Sequence, residues 1–263
     1  MYPQGTGKNK TALVTGAAQG IGLAFAENLA KQGYDLVVVD YQKDKIYLTA
    51  ESLKTRFPIS VSGLHLDLSL PDAAESLYHY CTENHIEIHI LVSNAGRFVF
   101  QSITEMDDET YRTILYLHVI TPAKLCKYFG SEMKKRREGY LLVISSLSAW
   151  MPYPYISLYA STKRFLQTFS RAIHFEFSPY NVGVTTVCPG AVDTDLVAMK
   201  AGIRRFARRS GLMISPDLLA QRALKKMYHK RITYIPGILN KVFLPLITLC
   251  PVRILSFFYK CFS

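Results

Sequence analysis

The chain has 263 residues, 49% of them hydrophobic, and an odd number of cysteines, five; it can bury one sizeable core without splitting into two domains and cannot close a fully paired disulfide framework. Its formal net charge of +11 is uneven: residues 1 to 195 carry 18 Lys and Arg against 19 Asp and Glu, whereas residues 196 to 263 carry 13 basic residues against the single acid Asp217. An excess confined to the last quarter, with no nucleic-acid-binding motif beside it, argues for an anionic surface or an acidic substrate and against nucleic acid.

Cys81, Cys126, Cys188, Cys250 and Cys261 lack paired metal-ligand spacing, and the start MYPQGTGKNK has no apolar export region. A reduced, cytoplasmic protein with no metal is expected. From Thr11 to Thr15 the sequence is short, apolar and partly β-branched, as a buried parallel strand should be. Gly16, Gly20 and Gly22 follow, then a helical pattern through Leu23, Phe25, Ala26, Leu29 and Ala30 that Gly33 closes. Strand, glycine turn and helix in that order make a seat for a pyrophosphate at a helix N-terminus. Leu36 to Val39 is a second strand, and Asp40 at its end is placed to accept hydrogen bonds from a ribose 2′-hydroxyl and to repel a 2′-phosphate. NAD is therefore preferred over NADP.

Residues 44 to 57 read as a helix, Val61 to Leu66 as a third strand, and Ser69 to Cys81 as a helix for which Asp67 is a candidate cap. His79, His85 and His89 lie nearby without a metal-ligand pattern. Ile88 to Val92 is the fourth strand. Two helical segments follow it, the longer from Asp108 to Arg136. Leu141 to Ile144 leads into SSLSAWMPYPYISLYASTK, residues 145 to 163, which holds Ser146, Tyr159 and Lys163. On a helix starting near Tyr159, the i and i+4 positions put the phenol and the ammonium on one face. An adjacent cation lowers the phenol's pKa from about 10, so that Tyr159 can exchange a proton with an alcohol or carbonyl. Ser146, at a strand's carboxyl end, is placed to hydrogen-bond the same substrate oxygen. A stripe of Leu166, Phe169, Ile173 and Phe177 suits the core or a partner's equivalent helix, and Val182 to Val187 is the sixth strand.

The Ser146, Tyr159, Lys163 set and the T-G-x-x-x-G-x-G turn beginning at Thr15 resemble the short-chain dehydrogenase/reductase family. Ser93-Asn94-Ala95-Gly96 is similar to the family's N-A-G motif, which lines the cofactor's ribose. Pro189-Gly190-Ala191-Val192-Asp193-Thr194 looks like its P-G-x-V-x-T loop at the nicotinamide end. The resemblance spans residues 11 to 194 and implies cofactor contacts from Thr15, Gly16, Gln19, Gly20, Ile21 and Gly22 in the turn. It also implies contacts from Asp40, Asp67 and Leu68 around the adenosine, and from Asn94, Ala95, Gly96, Tyr159 and Lys163 nearer the ribose. Pro189, Gly190, Val192 and Thr194 complete the set. Gln19 stands where many NADP-preferring relatives carry Lys or Arg. One position departs from the family: His118 replaces the Asn that helps hold a water leading to Lys163, and it is either a proton relay or a packing residue.

The fold expected is α/β, a doubly wound Rossmann-like domain over residues 1–237 with a seven-stranded parallel sheet. Residues 195–215, with Arg204, Arg205, Arg208 and Arg209, read as a substrate lid, Pro216 to His229 as a basic helix, and Ile232 to Ile235 as the last strand. The tail, 238–263, has no uncharged run longer than the eleven residues Val242 to Val252, too short to span a bilayer. Three placements stay open for it: in a membrane interface on the cytoplasmic face, over the domain, or on a second subunit of a dimer or tetramer. The chain is expected to interconvert a secondary alcohol and a ketone with NAD, or less readily NADP. Trp150, Met151, Tyr153 and Tyr155 point to a bulky hydrophobic substrate. Alternatives are an NADPH-dependent 3-oxoacyl or ketosphingoid reductase, a non-catalytic dinucleotide-binding protein, and a membrane-surface interaction protein.

Overall fold

Alternation decides which side chains go to which face of the sheet. In strand β1, Thr11–Thr15, Ala12 and Val14 enter one core and Leu13 the other. In β2, Asp35–Asp40, Leu36 and Val38 divide from Val37 and Val39 in the same way, as do Ile90 and Val92 from Leu91 in β4, Ile88–Ser93. Successive residues of a strand face opposite ways, so a strand apolar at every position must be covered on both sides. The computed structural model describes residues 7–151, 153–194, 213–237, 240, 241 and 244. Most of the lid, including its four arginines, and most of the tail lie outside the described residues.

The remaining strands are β3 (Val61–His65), β5 (Gly139–Ile144), β6 (Val182–Val187), the short pair β7 (Ala191–Val192) and β8 (Met213–Ile214), and β9 (Thr233–Tyr234). Seven form one parallel sheet in the order β3-β2-β1-β4-β5-β6-β9. The first core is closed by α1 (Gly20–Ala30), α2 (Lys43–Arg56) and α7 (Pro216–Tyr228), which bury Phe25, Leu29, Ile46, Leu53, Leu224 and Met227. The second is closed by α3 (Ala73–Glu83), α5 (Thr121–Arg136) and α6 (Ser157–Phe177) through Leu77, Leu125, Phe129, Met133, Leu166 and Ile173. Each such side chain contributes about 1.5–3 kcal/mol on burial. The stripe on α6 thus faces the core: Phe169 and Phe177 pack against the second cluster. The strand order runs outward from β1 on one side and from β4 on the other, and the crevice between their carboxyl ends is the topological switch point.

Three expected elements differ. The helix expected from Ser69 begins at Ala73, because Asp67 folds a local turn instead, its Oδ1 accepting from Ser69 N and Ser69 Oγ at 2.9 and 2.7 Å. Residues 97–107 contain no helix, and α4 (Asp108–Leu115) is opened by Asp107, whose carboxylate accepts from Thr110 N at 2.7 Å. The single helix expected from Asp108 to Arg136 is interrupted by a π-helical turn, Tyr116–Ile120, closed by a bond from Thr121 N to Tyr116 O. Pro122 is the reason: with no N–H it leaves the carbonyl of His118 without its i+4 donor, and one wider turn absorbs the misfit. The β7–β8 pair was not foreseen, because two-residue strands carry no periodicity.

Candidate active site

The glycine turn is built against the end of β4. Gly16 and Gly20 have φ of +66° and +61°, in the left-handed region that favours glycine. A Cβ at Gly22 would stand 2.0 Å from Gly16 O, and one at Gly16 would stand 2.9 Å from Asn94 Nδ2. Asn94 Nδ2 donates to Thr15 O at 3.0 Å and Gly16 O at 3.2 Å. Thr15 Oγ1 accepts from Asn94 N and Ala95 N and donates to Val92 O. The Thr15 hydroxyl therefore joins two strand ends, and its part in a nucleotide site is to hold the turn. Gln19, in extended conformation, is the N-cap of α1 and places no side-chain bond on the helix's first amides. A bare turn too tight for a Cβ, leading to helix amides without a side-chain cap, suits a pyrophosphate. Gly22→Ala should cost about 2 kcal/mol or more, although alanine favours helices elsewhere, and a thermal melt with and without dinucleotide checks both the fold and the binding.

Asp40 is 6% exposed and faces this turn: its Oδ2 accepts from Ala18 N and its Oδ1 from Gln42 N, both at 3.0 Å. It is no solvated acid at a strand end. Lys45 Nζ reaches Gln19 Oε1 at 3.2 Å, a cation at the rim of the turn that the spacing of the glycines did not announce. Asp67 is half-buried at the end of β3, beside a buried Leu68 whose carbonyl accepts from Thr121 Oγ1. The Thr194 methyl lies 3.4 Å from where a Gly20 Cβ would be, so the 189–194 loop closes over the glycine turn. Pro189 O accepts from Leu147 N at 2.8 Å, Thr194 N donates to Val192 O at 2.8 Å, and Gly190 lies against Asn240. Ile21 is partly buried against the first core.

Ser146, two residues past the end of β5, caps the 3-10 turn Leu147–Trp150, its Oγ accepting from Ser148 N at 3.1 Å. Tyr159 stands in the first turn of α6, where the Ser146 side chain acts on its phenol. Its ring meets Phe98 edge-on at 5.0 Å and His118 at 5.6 Å between centroids. Lys163, one turn on and 4% exposed, donates from Nζ to Ile144 O at 3.1 Å and lies 5.7 Å from the centre of the Tyr159 ring. His118, 0% exposed on the π turn, accepts from Arg97 N at Nε2 (3.1 Å), and its Nδ1 lies 3.0 Å from Thr162 Oγ1. All four side chains predicted to be catalytic therefore meet at the carboxyl ends of β4 and β5.

The electrostatics correct one expectation. Tyr159 is raised above its ordinary value by burial, with the Ser146 side chain pulling the other way, and the neighbouring Lys163 does not bring it below that value. The ammonium points to a backbone carbonyl, and its own burial brings Lys163 down to about 8. Desolvation outweighs charge attraction when two groups share an apolar pocket. Sequence reasoning missed Thr162 and Phe98. The only signal for Thr162 was its place between Tyr159 and Lys163, and Phe98 sits on a loop without periodicity. The buried thiols of Cys81, Cys126 and Cys188 are pushed up to about 12 and stay inert.

Comparison with known proteins agrees with this architecture. The very-long-chain 3-oxoacyl-CoA reductase of Mus musculus is 30% identical over 194 residues, 72% of this chain and 61% of the relative. The 17-beta-hydroxysteroid dehydrogenase type 3 of Danio rerio is 29% identical over 197 residues, 72% and 62% of the two chains. The chain thus spans about three fifths of the length of these curated relatives. The crystal structure of L-sorbose reductase from Gluconobacter frateurii, complexed with NADPH and L-sorbose, superposes with a TM-score of 0.79 at 26% identity, over 90% of this chain and 97% of that one. The short chain dehydrogenase pattern itself matches residues 10–202, from the first strand past the loop that closes over the glycine turn, and the chain belongs to that family.

Proposed function

We propose that the chain is an NAD-preferring oxidoreductase interconverting a secondary alcohol and a ketone on a bulky apolar substrate. The observation that carries the reading is Tyr159 in the first turn of α6, with the Ser146 side chain acting on its phenol and buried Lys163 one helical turn away, at the same carboxyl end of the sheet as the glycine turn. A bound nicotinamide dinucleotide supplies or accepts the hydride. Residues 16–22, Asp40 and the 189–194 loop would hold it, with Lys163 on its ribose. Tyr159 takes the alcohol proton in oxidation and returns it in reduction, while Ser146 orients the substrate oxygen. Lys163, charged below a pH of about 8, favours the phenolate that oxidation requires.

The substrate class rests on the rim. Phe100 and Ile103 on the loop after β4 and Tyr153 and Tyr155 on the loop before α6 are exposed, and Phe100 packs on Tyr155 at 5.3 Å. Gln101 N donates to Tyr155 O at 2.8 Å, which joins the loop after β4 to the loop before α6. An apolar rim of that kind suits a steroid or a fatty acyl chain, in keeping with the names of the mouse and zebrafish relatives.

A second reading, an NADPH-dependent 3-oxoacyl reductase, draws on the Lys45 ammonium at the turn and on the NADPH of the sorbose reductase. Kinetics with each cofactor decide between the two, following reduced nicotinamide by absorbance on steroid, 3-oxoacyl and sphingoid substrates. The expected result is a higher kcat/KM with NAD, and a fall of about 10- to 100-fold in the NAD-to-NADP ratio in Asp40→Asn, the worth of one hydrogen bond to a charged group. A wild type that prefers NADP, with a ratio indifferent to the substitution, would overturn the NAD reading.

A further inference from the structure

The His118 ring is fixed by its partners. Thr162 Oγ1 donates its one proton to Tyr159 O at 2.9 Å, so toward His118 Nδ1, 3.0 Å away, it can only accept. Nδ1 therefore carries the hydrogen. Nε2 is filled by the N–H of Arg97 at 3.1 Å and is the acceptor. Both nitrogens of a neutral imidazole are thus used, one on the loop after β4 and one on the first turn of α6. A Cβ at Gly96 would stand 2.8 Å from His118 Nε2 and 3.5 Å from Lys163 Nζ, so the ring and the ammonium lie against the same glycine.

We propose that His118 is a positioning residue, a neutral imidazole clamp that holds the Tyr159 turn of α6 to the Gly96–Arg97 backbone and keeps water away from Lys163, in place of a proton path through this position. The proposal rests on the alcohol–ketone reading of the same site. A proton on Nε2 would break the Arg97 bond, so the ring cannot pass one on while the clamp is closed. Among the described residues the groups facing it are few. From α6 come Tyr159, edge-on, and Lys163; from the loop after β4 comes Arg97, through its backbone; and from the end of β6 the Cys188 thiol, pushed up to about 12 and hence neutral, faces Lys163. Burial first, and then the Lys163 charge, hold the His118 pKa well below the ordinary value, in agreement with a neutral ring.

Shortening the side chain should reverse these effects. His118→Asn leaves room for water beside Gly96; a hydrated Lys163 regains its charge toward the ordinary value, and a persistent cation favours the Tyr159 phenolate. The acidic limb of kcat/KM for alcohol oxidation should move down by about one pH unit, a tenfold gain below the limb. His118→Gln keeps an acceptor and a donor on one side chain and should hold the wild-type limb. Independently of turnover, nitrogen-15 NMR of the histidine-labelled full chain, with the signal assigned by its loss in either variant, should show a neutral Nδ1–H tautomer that does not titrate between about pH 5.5 and 9. A ring that titrates near its ordinary value, an Nε2–H tautomer, or a limb unmoved in His118→Asn overturns the clamp. If no substrate is turned over while the NMR signature holds, the clamp stands and the enzymatic reading fails.

Discussion

Tyr159→Phe should lower kcat by about 10²- to 10⁴-fold, the range for losing a positioned general acid–base, while leaving the KM for dinucleotide close to wild type. Phenylalanine keeps the edge contacts with Phe98 and His118 and removes only the hydroxyl. The melting temperature should therefore move little. The pH dependence follows from the same burial. Because the phenol is raised above its ordinary value, it stays protonated at neutral pH; reduction, which needs the proton, should run there and decline as pH climbs through the alkaline range. Oxidation, which needs the phenolate, should rise over that range. Steady-state rates in both directions across pH, wild type beside the variant, test the assignment, and a variant within tenfold of wild type at every pH would remove Tyr159 from the chemistry.

Lys163→Met should abolish most activity and stabilise the fold. A buried ammonium with one acceptor among the described residues, Ile144 O, is poorly compensated, and its pKa of about 8 against an ordinary 10.5 measures the penalty. The sign follows from proton binding. Below pH 8 the folded and unfolded chains both carry the charge, and the folded one bears the full burial cost, about 3 kcal/mol. Between pH 8 and 10.5 the folded lysine releases its proton first, so the cost fades as pH rises. Allowing for the donor that Ile144 O would lose, K163M should gain about 1–2 kcal/mol at pH 7, a rise of about 4 °C in melting temperature. The gain should shrink at higher pH. Activity should fall at least about a hundredfold, since the group that favours the phenolate is gone. Calorimetry at two pH values beside the rate assay decides: a variant that melts lower at pH 7 would show that Lys163 holds the fold together.

Taken together, the two variants separate a site optimised for chemistry from one optimised for stability. Lys163 is held charged below a pH of about 8 where burial disfavours charge, a strain that an apolar replacement relieves, whereas Tyr159 keeps the neutral form that burial favours.

The sequence by itself determined what local pattern can carry. Strands β1, β2, β4 and β5 were legible because each is a short apolar run, and a chain alternating such runs with helices has few ways to cover a parallel sheet. The glycine turn, Asp40, Ser146 and the Tyr159–Lys163 pair were legible because their spacing is set by one turn or one helix face. Only the tertiary structure decided what depends on partners distant in the chain. His118 is 21 residues from Arg97 and 44 from Thr162, and no periodicity joins them, so its tautomer and its clamp appear only once α5, α6 and the loop after β4 are packed. The π turn required Pro122 to meet a helix continued by tertiary packing. Tyr159 is raised rather than lowered for the same reason: a neighbouring cation can be read from i and i+4 spacing, but the water removed from around both groups is a property of the assembled core.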